Sequence, residues 1–452
     1  MAILGTDFSF EKIDKIFKSA KKIFFIGIGG VSMSSLARFS YLSGKEIFGY
    51  DKERGKGAIR LEGFAKIKYY STPDSVEGMD LVVYSSAISE ENFEYQRAKK
   101  LKIPTLGRAN FLDYLSRLSK SQIAVSGTHG KSTTTSYLAK IFDYAEKNPT
   151  VFCGATMRGY ESELLWGRGE VSIYEACEYM DSFLAFFPEI GVILNCEYDH
   201  PDYFKSQEEV EASFHRFAEN SKRVVAFKDD VGVQNALLGI DKSKITYFSL
   251  CDKESDYLIK GGDGIIEVYS GGKLVLSAQG DFFGRHQIID GGASAVCALL
   301  AGVSPLVISY ALKEAQGVKR RLEFIKKLDT SLPVFEDYAH HPTEIKATLD
   351  TLFARGYKRI FCVFQPHTFS RTHFLYTSFV NALSCASELY ILPTYSAREE
   401  NVYGVSEKKL ASDAGGEFLP TFLAVREKMR KTDCDCAVIM GAGDITRFKS
   451  LI

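Results

Sequence analysis

The sequence predicts three α/β domains, the outer two Rossmann-like and the central one built on a mostly parallel sheet. Three observations carry that expectation. The chain has 452 residues, more than one hydrophobic core usually serves. Apolar, β-branched runs of strand length alternate with segments of helical spacing from Lys22 to Met440, the pattern of strand–helix–strand crossovers. Two charged or glycine-marked stretches, Arg117–Ser121 and Gly317–Arg321, punctuate that series, which places the domains at 1–118, 119–318 and 319–452.

In the first unit, Lys22–Ile26 is a buried-strand run that meets Gly27-Ile28-Gly29-Gly30, and Met33, Leu36, Ala37 and Phe39 follow at helical spacing. This looks like the first βα unit of a dinucleotide-binding fold, with Gly27, Gly29 and Gly30 letting the backbone approach a diphosphate. A second strand, Glu46–Tyr50, ends at Asp51, where an acid could take a ribose hydroxyl. The dehydrogenase fingerprint needs a third glycine where Ser32 stands, so a domain holding some other diphosphate is favoured over an NAD-dependent oxidoreductase. The strand Asp80–Tyr84 leads into Ser85 and Ser86, small residues suited to close ligand approach.

The central unit opens on Gln122–Ser126, then Gly127-Thr128-His129-Gly130-Lys131-Ser132-Thr133, then a helical pattern at Leu138, Ile141 and Phe142. Strand, glycine loop and helix in that order aim several N–H groups at one anion, and Lys131 adds a mobile positive charge. The loop is a shortened P-loop, with Val125 where the full pattern has glycine, and it predicts a nucleoside triphosphate site. A switch NTPase would also use such a loop. Ser132 stands where a hydroxyl binds Mg²⁺.

Further strands are expected at Val171–Glu175, Ile190–Asn195, Val224–Phe227 and Ile245–Phe248, and Ile265–Leu276 alternates around Gly271-Gly272 as the hairpin of a small antiparallel annex. A small-residue helix runs from Gly284 to Leu300. Glu175, Asn195, Asp199 and His200 sit at or just beyond strand ends, on the sheet edge that carries the loop. A carboxylate and an imidazole there suit a Mg²⁺ cluster beside a triphosphate, with Glu178 and Asp181 competing for the role.

The last unit has strands at Pro333–Glu336, Arg359–Phe364, Glu388–Leu392 and Ala437–Met440. Two loops follow strands there: Asp337–Glu344, which caps a helix at Pro342 or Thr343, and Gln365–Arg371. With His341 and His367 in those loops and Arg371 as a carboxylate- or phosphate-binding fork, they predict a site for an anionic substrate.

Composition narrows the class of partner. A net charge of −1 argues against nucleic acid, and no apolar run approaches the roughly 20 residues of a membrane span. The segment Met1–Lys22 lacks a signal-peptide core, so a cytoplasmic protein with small-molecule substrates is expected. Nine cysteines, several of them in apolar runs (Cys196, Cys297, Cys362), read as reduced core thiols. Cys434-Asp435-Cys436 lacks the second close pair of a zinc site.

Taken together these motifs resemble the Mur ligases over essentially the whole chain. The likeness rests on Gly27–Gly30 with Met33-Ser34, Gly127–Lys131, Glu175 spaced from Asn195 and Asp199-His200, Gly317–Arg321, Asp337–Ile345, Phe364–Thr372 and Gly441–Asp444. It implies a UDP-binding first domain, a central ATPase and a third domain that closes on both. The substrates it implies are UDP-N-acetylmuramate, L-alanine and ATP, with Mg²⁺ as cofactor. The muramoyl carboxylate would be phosphorylated, and the amine of alanine would then displace phosphate to give an amide, in peptidoglycan precursor synthesis.

By that resemblance Gly127, Thr128, His129, Gly130, Lys131, Ser132 and Thr133 hold the phosphates, and Arg321 and Asp337 reach ATP from the third domain. Ser132 and Glu175 take one Mg²⁺ and His200 a second. Lys131, His200 and Arg321 are the expected catalytic residues, with His200 alternatively the base for the amine. Gly27, Gly29, Gly30, Asp51, Ser85, Ser86, His341, His367 and Arg371 are the expected substrate contacts. The chain departs from the family pattern at Ser32 and Ser35, usually glycines, and at Gln287 and Asp290, usually asparagines near adenine. A sister activity, attaching a ready-made peptide to the same muramate for wall recycling, is the nearest alternative. A monomer or weak homodimer is expected.

Overall fold

The computed structural model describes residues 9–85, 87–327, 332–397 and 399–451, which leaves Ser86 outside the described residues. The first sheet holds β1–β5 (Lys22–Ile26, Glu46–Tyr50, Ala65–Lys68, Leu81–Tyr84 and Thr105–Gly107) in the order β3-β2-β1-β4-β5, all parallel. Ile23–Ile26 are buried because both faces of β1 are covered. The strand order reverses between β1 and β4, and there the Gly27–Gly30 turn leaves the sheet beside Ser85, the usual ligand crevice of an open parallel sheet. A helix at Phe10–Ser19 was hidden in the charged N-terminal stretch; its Ile13 and Phe17 point inward, and Phe17 packs on Phe111 and Tyr114.

The central sheet has ten strands, β6–β15: Ser121–Ser126, Thr150–Met157, Ser162–Leu165, Val171–Glu175, Ile190–Ile193, Arg223–Phe227, Ile245–Ser249, Tyr257–Gly262, Ile265–Ser270 and Lys273–Gln279. Their order is β15-β14-β13-β12-β11-β10-β6-β9-β7-β8. β6, which feeds the glycine loop, lies between β10 and β9 and pairs parallel with both. The Gly271-Gly272 hairpin forms, but it is no separate annex. β13 pairs parallel with β12 and antiparallel with β14, so the hairpin extends the main sheet. The reason is burial: Ile259, Ile266 and Val268 lie beneath the helix Arg285–Leu300, whose Gly292 lets it approach Ile259 closely.

The third sheet holds β16–β21 (Glu323–Lys327, Pro333–Asp337, Ile360–Phe364, Glu388–Ile391, Glu417–Phe418 and Cys436–Met440) in the order β16-β17-β21-β18-β19-β20. Only β16 runs antiparallel, as an edge strand.

The first two domains share apolar packing, with Phe39 against Phe152 and Trp166, and polar ties from Arg38 to Ser162 and from Arg60 to Glu163. Between the second and third domains the chain is stitched to the end of β7: Arg158 N–H donates to Gly317 O at 3.0 Å and Lys319 N–H to Thr156 O at 2.9 Å. Beyond that seam Arg320 and Leu322 adopt left-handed φ values of 61° and 43°. All nine cysteines are free, six of them buried. Among the described residues no helix is long and apolar enough to cross a membrane.

Candidate active site

The glycine loop is held open by its neighbour strand. Gly127 and Gly130 have φ of 141° and 85°, and a side chain on either would press on Leu194, with Asp290 also against Gly130, so only glycine suits both. Just beyond β10, the Asn195 amide accepts from His129 N–H at 2.8 Å and donates to His129 O at 3.1 Å, while Thr128 Oγ1 accepts from Glu197 N–H at 2.9 Å. The helix Lys131–Tyr144 then begins, and the N–H groups of its first turn have no intrahelical acceptor, which makes its N-terminus an anion site.

Lys131 Nζ folds back over the loop to Gly127 O and Thr128 O and pairs with Glu178 Oε2 at 2.9 Å. Burial disfavours its charge, but Glu178 outweighs that and raises its pKa. Glu178 also faces His200 Nε2 at 3.9 Å, and Asp199 faces the same nitrogen at 3.8 Å. Of the two acids weighed against Glu175, Glu178 therefore sits among the predicted residues. Asp181 does not: Arg216, Tyr203 and Ser213 hold it elsewhere. Glu175, at the end of β9, accepts from Gly154 N–H and from Cys153 Sγ, and Cys153 in turn reaches the backbone of Ser132. That links the Glu175 carboxylate to the residue whose hydroxyl was expected on Mg²⁺. Oxygen donors of this kind fit Mg²⁺.

The third domain closes over this edge. Arg321 Nη1 donates to Glu344 Oε1 at 2.7 Å, and His129 Nδ1 lies 3.4 Å from the same oxygen. Burial would raise the Glu344 pKa, but Arg321, His340 and His129 hold it well below the carboxylate range. For His129 burial works against the charged form, yet Glu344 and Glu197 prevail and lift it to about 10. His341, which caps the helix Pro342–Ala354 through Nδ1, is pushed down to about 4 by burial and by the charge of His129. Asp337 accepts from the N–H groups of Leu322 and Ala339 and is pushed up to about 6 by burial.

Three further expected ligand contacts also meet partners from the chain itself. The fork of Arg371 is filled by Asp199, through bonds of 2.9 and 3.3 Å. His367 lies beside it, with Nδ1 3.4 Å from Arg371 Nη1 and its ring stacked on Tyr395. Asp51 Oδ2 accepts from Gly29 N–H at 2.8 Å, so it braces the turn. The two departures in the 286–290 stretch also have structural partners: Gln287 caps its own helix by accepting from Gly284 N–H, and Asp290 backs the phosphate loop at Gly130. Ser32 accepts from Arg108 at 3.4 Å, and Ser35 bonds within its own helix to Val31 O.

Sequence reasoning passed over Arg108, Glu197 and Glu344. Arg108 follows β5 and spans the first two domains, reaching Ser182 at 3.3 Å as well as Ser32; burial lowers its pKa. Glu197 lies between two residues that were singled out, and Glu344 lies four residues past His340. Their spacing was visible, but their convergence on His129 is tertiary.

The comparisons with known proteins agree across the chain. Models described as "Mur ligase family, catalytic domain", "Mur ligase middle domain" and "Mur ligase, glutamate ligase domain" match residues 22–120, 125–298 and 320–443. A UDP-N-acetylmuramate–L-alanine ligase of Caldanaerobacter subterraneus is 38% identical over 94% of this chain and 95% of that protein. One of Clostridium kluyveri is 37% identical over 94% and 96%. Among solved structures, a UDP-N-acetylmuramate–alanine ligase from Thermotoga maritima superposes with a TM-score of 0.79 at 26% identity, covering 95% of this chain and 97% of that one. A murein peptide ligase from Psychrobacter arcticus has the same fold, with a TM-score of 0.69 at 20% identity and coverage of 95% and 98%. With three consecutive domain models matched and such identity sustained over nearly its full length, the chain belongs to the Mur ligase family.

Proposed function

We propose that the chain joins L-alanine to UDP-N-acetylmuramate in an ATP-dependent amide synthesis that passes through an acyl phosphate. The observation that carries this reading is the convergence of Lys131, Glu178 and His200 at the N-terminus of a helix, under a third domain reached through Arg371 and Asp199. It is supported by relatives that bear that activity in their names over nearly the whole chain. Domain limits of 1–118, 119–318 and 319–452 and a cytoplasmic location belong to the same proposal.

Gly127–Thr133 would cradle the phosphates of ATP, with Lys131 leaving Glu178 for the β- and γ-oxygens. Mg²⁺ bound by Ser132 and Glu175 would neutralise charge on the transferring phosphoryl group. Two carboxylates facing His200 Nε2 make it a place for a cation, which favours the second-metal role over that of base. The remaining work is positioning: Arg321 and Asp337 present the third domain to the nucleotide, and Gly27, Gly29, Gly30, Asp51 and Ser85 present the switch point of the first sheet to the UDP group. His341, His367 and Arg371 would line the side from which the amino acid arrives.

The reading is tested by phosphate release with ATP and UDP-N-acetylmuramate against a panel of amino acids. L-alanine is expected to give the highest kcat/KM. Activity with a muramyl tripeptide's free peptide, and none with alanine, would overturn it in favour of recycling; release without either acceptor would point to a simple NTPase.

A further inference from the structure

Among the described residues, three side chains gather within reach of a single ion: His129, Glu197 and His341, whose donor atoms all lie within 4.8 Å of one another. They come from three segments, the phosphate loop, the stretch beyond β10 and the cap of the helix Pro342–Ala354. His129 Nε2 stands 3.6 Å from Glu197 Oε2, and His341 Nδ1 stands 4.0 Å from the same oxygen. His129 Nε2, the ring nitrogen that faces Glu197, is buried without a hydrogen-bond partner, a costly state for a polar group.

The surroundings are those of a metal-bound imidazole. Glu344 faces His129 Nδ1 at 3.4 Å, the carboxylate backing that orients such a ring and raises its basicity. Thr343 Oγ1 donates to Glu197 Oε2 at 2.7 Å and fixes that carboxylate. A tetrahedral ion with bonds of about 2.0–2.1 Å spaces its ligands roughly 3.3 Å apart, so small side-chain shifts complete the shell. Two nitrogens and one carboxylate suit Zn²⁺-like ions, whereas Mg²⁺ prefers oxygen.

We propose that His129, Glu197 and His341 form a transition-metal site of the Zn²⁺ type that ties the central domain to the C-terminal one. Water fills the fourth position. The ion replaces the imidazolium proton of His129, which goes to solvent, and it displaces the long 3.3 Å bond from Thr343 N–H to His341 Nδ1. Phosphate loop and capped helix are then joined through one centre, whichever acceptor the enzyme uses.

The full chain, stripped with chelator and held in saturating Mg²⁺, is titrated with Zn²⁺ by calorimetry and with Co²⁺ by visible absorption. One tight ion per chain is expected, with the intense bands of four- or five-coordinate Co²⁺ and slowed amide exchange in 127–133 and 341–345. Glu197→Gln and His341→Asn should each weaken binding about a hundredfold; asparagine keeps the helix cap, and thermal melts confirm folding. Binding unchanged in both variants, or weak six-coordinate Co²⁺ bands, overturns the proposal. So does binding lost in His215→Gln, which would assign the ion to the surface pair His215–Glu219, 3.7 Å apart.

Discussion

Arg371 of the third domain grips Asp199 of the central domain through two nearly parallel hydrogen bonds, and both side chains are only 7% exposed. Burial would raise the Asp199 pKa, but Arg371 first, and His200 after it, hold it well below the usual range. Removing one member of a buried pair leaves the other charge stranded, at a cost of about 3–5 kcal/mol. Arg371→Ala should therefore open the third domain. Small-angle scattering is expected to show a larger radius of gyration than the parent's in the presence of ATP analogue and UDP-N-acetylmuramate. Superimposable curves would show that this pair does not govern closure.

Lys131→Ala should abolish ligation while leaving UDP-N-acetylmuramate affinity near the parent's, because the lysine belongs to the phosphate loop and the UDP group to the first sheet. Loss of a charge-assisted contact to the moving phosphoryl group costs several kcal/mol of barrier, at least about a hundredfold in rate. Ligation within tenfold of the parent would remove the loop from the mechanism.

Asp51→Ala should weaken UDP-N-acetylmuramate binding about tenfold, through the Gly29 N–H that it now accepts. Binding is measured by calorimetry. An unchanged affinity would mean that the turn holds its shape without this brace.

Asp290 gives a pH signature. Burial pushes its pKa up to about 8, against the pull of Arg321, whereas an unfolded aspartate titrates near 3.9. Between about pH 4 and 8 the folded chain then binds a proton that the unfolded chain does not, so this group makes stability fall as pH rises through that window. Asp290→Asn, uncharged throughout, should gain thermal stability relative to the parent at pH 8 and show little difference at pH 4. Parallel melting curves across the range would contradict this.

The outlines of the fold and of the phosphate loop were legible because each is a local pattern: β6, the glycines and the helix after Lys131 are consecutive. The same holds for β1 with its glycine turn. What sequence could not supply were pairings made by distant segments. Arg371 reads as a free fork until Asp199, 172 residues away, fills it. Glu178 gains its place because Met180 and Asp181 turn left-handed, with φ of 54° and 56°, just after it, and nothing in their side chains announces such a bend. β7 and β8 were missed because Gly154 and a shift in register interrupt the alternation that marks a strand.

The two left-handed residues on either side of Arg321 have a mechanical meaning. Arg320 and Leu322 each adopt a backbone state that costs an L-residue about 1–2 kcal/mol, and they do so immediately past the point where Gly317 and Lys319 are sewn to the end of β7. The seam acts as a fixed bearing, and the strained step beyond it as a spring. Arg321 sits on that spring and ends on Glu344 of the same domain, so the strained step is tied by an ion pair to the start of the helix Pro342–Ala354. A glycine at Leu322 would slacken the spring, but it would also take a buried side chain out of the third domain's core, so the strained backbone and the packing are coupled at one residue.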